Sequence, residues 1–95
     1  MSVRIQLPSS LRGLTGGLDE VGVEAGTVGD VMLRLRERYP DLKQHLYDER
    51  DNLRGFVNLF LNDDDVRSRQ GLETPAADGD VIMLIPSIAG GGHAG

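Results

Sequence analysis

Thr27-Val28-Gly29-Asp30-Val31-Met32-Leu33-Arg34-Leu35-Arg36-Glu37-Arg38-Tyr39 is the stretch that decides the fold. Val28, Val31, Met32, Leu35 and Tyr39 recur at the three- and four-residue intervals of one helix face. Arg34, Glu37 and Arg38 cover the other side. Thr27 stands at the N-cap, and Asp30, three residues on, is the acid of a capping box. Pro40 closes the segment.

Strand patterns flank this helix. Val3, Ile5 and Leu7 alternate with Arg4 and Gln6 until Pro8 ends the run. Residues 9–17, with Ser, Gly and Thr, read as a loop ending in Gly16-Gly17. Val21 and Val23 alternate with Gly22 and Glu24, so the first two strands are expected to form a hairpin. After a polar stretch through Asn52, Phe56 to Leu61 is dense in apolar residues and predicts a buried strand. Phe56 and Phe60 share one face of it; one is expected in the core and the other is left open as core or docking patch. Asn62-Asp63-Asp64-Asp65 predicts a turn, Val66 a short edge segment, and Asp78-Gly79-Asp80 a tight turn into a last strand, Val81 to Ile85. The order β-β-α-β-β-β predicts an α+β fold of the β-grasp (ubiquitin-like) type, a mixed sheet wrapped on one main helix. Met32 and Met83 are expected to fill its core.

Composition narrows the function. Ninety-five residues with 39% hydrophobic content suit one small domain with one modest core. Ten basic residues against fifteen acidic ones leave a net charge of -5, and Lys43 is the single lysine. Such a chain has no cationic groove for phosphates, so no nucleic-acid partner is expected. It suits a partner with a basic docking surface. With no cysteine, disulfides, thiol nucleophiles and thiolate metal sites are excluded. Met1 leads straight into a strand pattern rather than a signal sequence, and no apolar run is long enough for a membrane span; the expected location is cytoplasmic, with no membrane partner.

The end of the chain is Ile82-Met83-Leu84-Ile85-Pro86-Ser87-Ile88-Ala89-Gly90-Gly91-Gly92-His93-Ala94-Gly95. A strand stops at a proline, a short thread follows, and then glycines. Glycine offers no packing surface and loses much backbone entropy on ordering, so this tail is expected to be flexible and to pack on nothing. Its narrow shape suits insertion into a site on another protein, where a terminal carboxylate could be activated. The domain is expected to span 1–89, thread included, with a Gly-rich tail over 90–95.

Three blocks carry a family resemblance. The first is Asp78-Gly79-Asp80 with the strand, Pro86 and Ser87-Ile88-Ala89-Gly90-Gly91. The second is Phe56-Val57-Asn58-Leu59-Phe60-Leu61-Asn62 with Asp63-Asp64-Asp65-Val66-Arg67. The third is Leu11-Arg12 with Thr15-Gly16-Gly17. Across nearly its full length the chain resembles the ubiquitin-like sulfur-carrier family (MoaD/ThiS), and is most similar to the CysO-like branch that serves cysteine biosynthesis. The resemblance implies a carrier and not an enzyme. An E1-like enzyme uses ATP to adenylate the terminal glycine, a sulfur donor displaces AMP to leave a thiocarboxylate, and a PLP-dependent synthase accepts the sulfur. No cofactor is expected on the chain itself. Gly91 becomes the reactive residue, Gly90 its close-packed neighbour, and Ser87, Ile88 and Ala89 the partner-binding thread. Those five residues, extended at about 3.3–3.6 Å each, reach roughly 17 Å. A chain without cysteine has no thiol to carry sulfur, which agrees with a reactive terminus.

One feature departs from the family pattern. Gly92-His93-Ala94-Gly95 follows the Gly-Gly pair and would displace the carboxylate by roughly 13 Å if extended. The expectation is a precursor cut between Gly91 and Gly92, and the family resemblance points to a JAMM-type zinc metalloprotease as the trimming enzyme. The alternatives are activation of Gly95 itself or a carrier that has lost the function. Three other functional readings stay open: the small subunit of molybdopterin synthase, a ubiquitin-like modifier that forms isopeptide bonds, and an unactivated β-grasp adaptor. His45 and His93 lie far apart, and the aspartates at 63–65, 78 and 80 lack EF-hand spacing, so no metal site is expected. Gly16-Gly17 lacks the lysine and helix of a phosphate loop and is read as turn geometry.

Overall fold

The alternation at the start of the chain becomes β1 (Ser2–Gln6), which buries Val3 and Ile5 and leaves Arg4 exposed. A computed structural model describes residues 1–86; residues 87–95, with the whole Ser87–Gly95 tail, lie outside that description. β2 (Glu20–Glu24) pairs antiparallel with β1, with Val3 opposite Val23 and Ile5 opposite Val21, so the expected hairpin forms. Its connection is more ordered than a loop. Ser9–Thr15 winds into a 3-10 helix that buries Leu11 and Thr15. The Thr15 hydroxyl lies 3.1 Å from the carbonyl oxygens of Arg12 and Leu18, to which it can donate, and Gly16 closes the turn at φ 70°. That left-handed backbone favours glycine.

α1 (Val28–Arg38) starts with the predicted reciprocal cap. The Asp30 N–H donates to Thr27 Oγ1 and the Thr27 N–H to Asp30 Oδ2, each at 3.1 Å. Val28, Val31, Met32 and Leu35 are buried, each contributing about 1.5–3 kcal/mol by leaving water. Tyr39 is half-buried at the C-cap. Three elements were not legible in the sequence. α2 (Leu42–Leu46) arises inside the polar stretch because Leu42 and Leu46, one turn apart, both reach the core. β3 (Gly26–Thr27) and β6 (Pro75–Ala76) form a separate two-stranded sheet.

β4 (Val57–Leu61), β5 (Asp64–Asp65) and β7 (Val81–Pro86) complete the main sheet in the order β2-β1-β7-β4-β5. β1 and β7 run parallel at its centre, and the other pairs are antiparallel. This is the expected α+β β-grasp arrangement. Three local expectations need correction. β4 buries Val57, Leu59 and Leu61, so neither phenylalanine belongs to the buried core; Phe60 is half-buried on the outer face and Phe56 is exposed just before the strand. Met83 is exposed for the same reason, since β7 turns Ile82 and Leu84 inward. A period of two makes the register decide which alternate set is core. The acidic turn is confined to Asn62 and Asp63, at φ 49° and 78°, because Asp64 and Asp65 continue as β5 and Val66 opens a 3-10 turn.

Candidate functional site at the exit of the last strand

β7 is the last described element, directly before residues 87–95, and three features fix its position. At its start, Asn62 stitches the β4–β5 turn to the strand. Its Oδ1 accepts from the Val81 N–H at 3.0 Å, and its Nδ2 donates to Asp80 Oδ1 at 3.0 Å. Asp80 Oδ2 also accepts from the Ala77 N–H at 2.8 Å. The Ala77 and Asn62 hydrogen bonds hold the Asp80 carboxyl below its ordinary pKa.

Along its length β7 is paired on both sides, with Ile5 opposite Ile82 and Leu59 opposite Leu84. At its far end the pairing to β1 stops for a covalent reason. The Arg4 N–H donates to the Asp80 carbonyl at 3.0 Å. Following that phase, the β1 donor for the Leu84 carbonyl would come from Pro8, and the next donor on β7 from Pro86. Proline has no N–H. The two strands therefore part there, opening a cleft of about 540 Å³ bordered by Leu7, Pro8, Arg12, Leu84 and Ile85.

The third feature is the outer face of the sheet beside this exit. Phe60 stands opposite Met83 and Asn58 opposite Ile85. Met83 is 37% and Ile85 40% exposed. A polar rim adjoins them. Arg67 donates from Nη2 to Asn58 Oδ1 at 2.7 Å and to Asp65 Oδ2 at 3.0 Å. The Arg67 guanidinium and backbone N–H hold the Asp65 carboxyl below its ordinary pKa. Asp64, Asp65, Asp78 and Asp80 are thus engaged in ordinary bonds, Asp64 with Arg69 at 3.1 Å and Asp78 with the Ser2 N–H at 2.8 Å among them. Among the described residues no cluster could hold a metal ion, and no helix is long and apolar enough to cross a membrane.

The expected site residues Ser87, Ile88, Ala89, Gly90, Gly91 and Gly92 all lie outside the described residues. What the structure adds is their launch point: a strand ending at Pro86 beside an exposed apolar patch. Sequence reasoning placed Met83 in the core, and left only one of Phe56 and Phe60 open as a docking patch. The signal was present, because Val81-Ile82-Met83-Leu84-Ile85 is apolar at every position while a single packed face requires only alternate ones.

Comparison with known proteins bears on the family and the fold. A model of the ThiS family matches residues 5–91. The chain is similar to the sulfur carrier protein CysO of Mycobacterium tuberculosis, at 39% identity over 93 residues, which covers 96% of this chain and 100% of that protein. A molybdopterin synthase sulfur carrier subunit of the same organism is 34% identical over 74 residues, covering 77% of this chain and 75% of that protein. Among solved structures, the Amycolatopsis orientalis BexX/CysO complex contains a chain that superposes with a TM-score of 0.82 at 35% identity, covering 93% of this chain and 98% of that one. With the family model spanning nearly the whole length and the fold matching member by member, this chain belongs to the ThiS family of ubiquitin-like sulfur carriers, and is a carrier rather than an enzyme.

Proposed function

We propose that the carrier's reactive group is the Gly91 carboxylate, exposed by cleavage between Gly91 and Gly92. An E1-like enzyme adenylates it with ATP, sulfide equivalent displaces AMP, and the resulting thiocarboxylate passes its sulfur to a PLP-dependent synthase that builds cysteine or a related thio-metabolite. A JAMM-type metalloprotease performs the cut. The location is cytoplasmic, where the ATP and the cysteine-forming machinery are available. The observation that supports the reading is the geometry at the end of β7: the described strand ends at Pro86, with Met83 and Ile85 exposed and Phe60 half-buried alongside. A partner that closes on the apolar face can take the thread into its own active site in one docking event. Exposed apolar groups grouped at one place are what such a partner buries. Glycine at 90 and 91 lets that site approach bare backbone.

The CysO branch is favoured over the molybdopterin-synthase subunit by the extent of the match, which covers 96% of this chain against 77%. The deciding experiment compares the 95-residue chain with a form ending at Gly91. With the cognate activating enzyme, ATP–pyrophosphate exchange is expected only for the shorter form, because a carboxylate roughly 13 Å out of place cannot meet the nucleotide phosphate. Equal exchange by both would transfer the role to Gly95.

A further inference from the structure

β2 lies at one edge of the main sheet, and its phase against β1 is set by two hydrogen bonds. The Leu7 N–H donates to the Asp19 carbonyl at 2.9 Å, and the Ala25 N–H to the Met1 carbonyl at 3.3 Å. Odd residues of β2 therefore bond to β1, and Glu20, Gly22 and Glu24 turn their backbone groups to the open edge. An open row of donors and acceptors is a template for another strand. Here α1 reaches across it. Arg38 Nη1 donates to the Gly22 carbonyl at 2.6 Å, and Arg34 Nη1 donates to the Glu24 carbonyl at 3.1 Å and the Ala25 carbonyl at 3.0 Å. Gly26 makes room for this: a Cβ there would lie 2.7 Å from Arg34 Nη1.

We propose that the β2 edge is a self-pairing edge held shut by Arg34 and Arg38, with Glu20 and Glu24 repelling the register that a second copy of this chain would adopt. The register follows from symmetry. Two β2 strands running antiparallel about a two-fold axis at Gly22 match every outward backbone group, and nothing lies within 4 Å of where a Gly22 side chain would be. That pairing sets Glu20 of each copy, which also lies 3.7 Å from Arg4 Nη1, opposite Glu24 of the other, and like charges directly opposite are unfavourable. The occupant is a second copy because both strands then supply the same complementary groups at the same three positions. The consequence for function is that this side of the sheet stays closed to strand addition, which leaves partner docking to the exit end of β7.

The test is the oligomeric state of the fourfold variant Glu20→Gln, Glu24→Gln, Arg34→Ala, Arg38→Ala, read by size-exclusion chromatography with light scattering over a concentration series. The expected result is a dimer, with a dissociation constant lowered at least roughly tenfold relative to the wild type. Adding Gly22→Pro, which removes the central edge donor, is expected to return the variant to monomer. A folded fourfold variant that stays monomeric throughout, or a dimer that Gly22→Pro leaves intact, overturns the proposal. The milder pair Glu24→Gln with Arg38→Ala loses one exposed hydrogen bond and the Arg38 contact with the Tyr39 ring, and is measured in parallel. Its expected dissociation constant is intermediate, and if the fourfold variant does not fold, a strictly monomeric pair overturns the proposal by itself.

Discussion

Phe60 faces Met83 directly across the β4–β7 ladder, and both side chains lie on the sheet face turned away from α1. The adjacent pair, Asn58 and Ile85, extends this surface toward Pro86. The strand register thus places an apolar couple three residues before the last described residue, Pro86.

Charge placed on that couple is expected to separate docking from folding. Met83→Glu and Ile85→Arg replace partly exposed side chains, so their unfolding free energies should stay within about 1 kcal/mol of wild type. Adenylation of the Gly91-terminated form should fall at least roughly tenfold. Urea titration and ATP–pyrophosphate exchange on the same preparations measure both quantities. Unchanged exchange would move the docking surface elsewhere.

Leu35 is fully buried on α1. Leu35→Ala is expected to cost ~2–5 kcal/mol, measured by equilibrium urea unfolding. A loss below about half a kcal/mol would contradict the packing of this face against the sheet.

Gly90→Val and Gly91→Val are expected to leave the melting temperature nearly unchanged and to abolish thiocarboxylate formation. A branched side chain cannot pass where a partner closes on bare backbone. Intact-mass measurement after incubation with the activating enzyme and a sulfur donor reads the chemistry, and thermal melts read the fold. Wild-type thiocarboxylate levels in either variant would rule out threading.

Asn62 holds both Val81 and Asp80 while sitting at φ 49°. Asn62→Ala should destabilise by about 1–2 kcal/mol, from two lost hydrogen bonds and left-handed strain. Asn62→Gly should cost less, because glycine accepts the backbone conformation. Equal losses would assign the whole effect to the hydrogen bonds.

Acid sensitivity follows from Asp30, Asp65 and Asp80, all held below their ordinary pKa in the folded chain: Asp30 by the Thr27 backbone and hydroxyl, Asp65 by Arg67, and Asp80 by Ala77 and Asn62. Around pH 4 the unfolded chain binds more protons at these positions than the folded one, so stability rises with pH there. Their contribution is complete above the unfolded carboxylate range of about 3.9 and is lost as pH falls through the lower folded values. Denaturant midpoints between neutral and acidic pH should therefore decline more steeply for wild type than for Asp80→Asn. Parallel curves would show that Asp80 carries none of this linkage.

The helix, its Thr27–Asp30 cap, the first hairpin and the central strands were legible in the sequence because each rests on local periodicity or local hydrogen bonding. Val28, Val31, Met32 and Leu35 occur at helix spacing whatever surrounds them, and Val3 and Ile5 alternate regardless of partner. Pro86 at the end of the last described strand was equally readable, while the thread and the glycine pair at 87–91 lie outside the described residues. Tertiary structure alone decided which face of β4 and β7 became core. Both faces of those strands carry apolar residues, so alternation could not choose, and the register of β7 against β1 and of β4 against β7 placed Leu59 and Leu84 inside and Phe60 and Met83 outside. It also decided that Leu42 and Leu46 form a helix, because five residues have too few local hydrogen bonds to do so without the core they enter. The closure of the β2 edge by Arg34 and Arg38 belongs to the same class: it depends on how α1 lies beside β2, a distance that no sequence pattern contains.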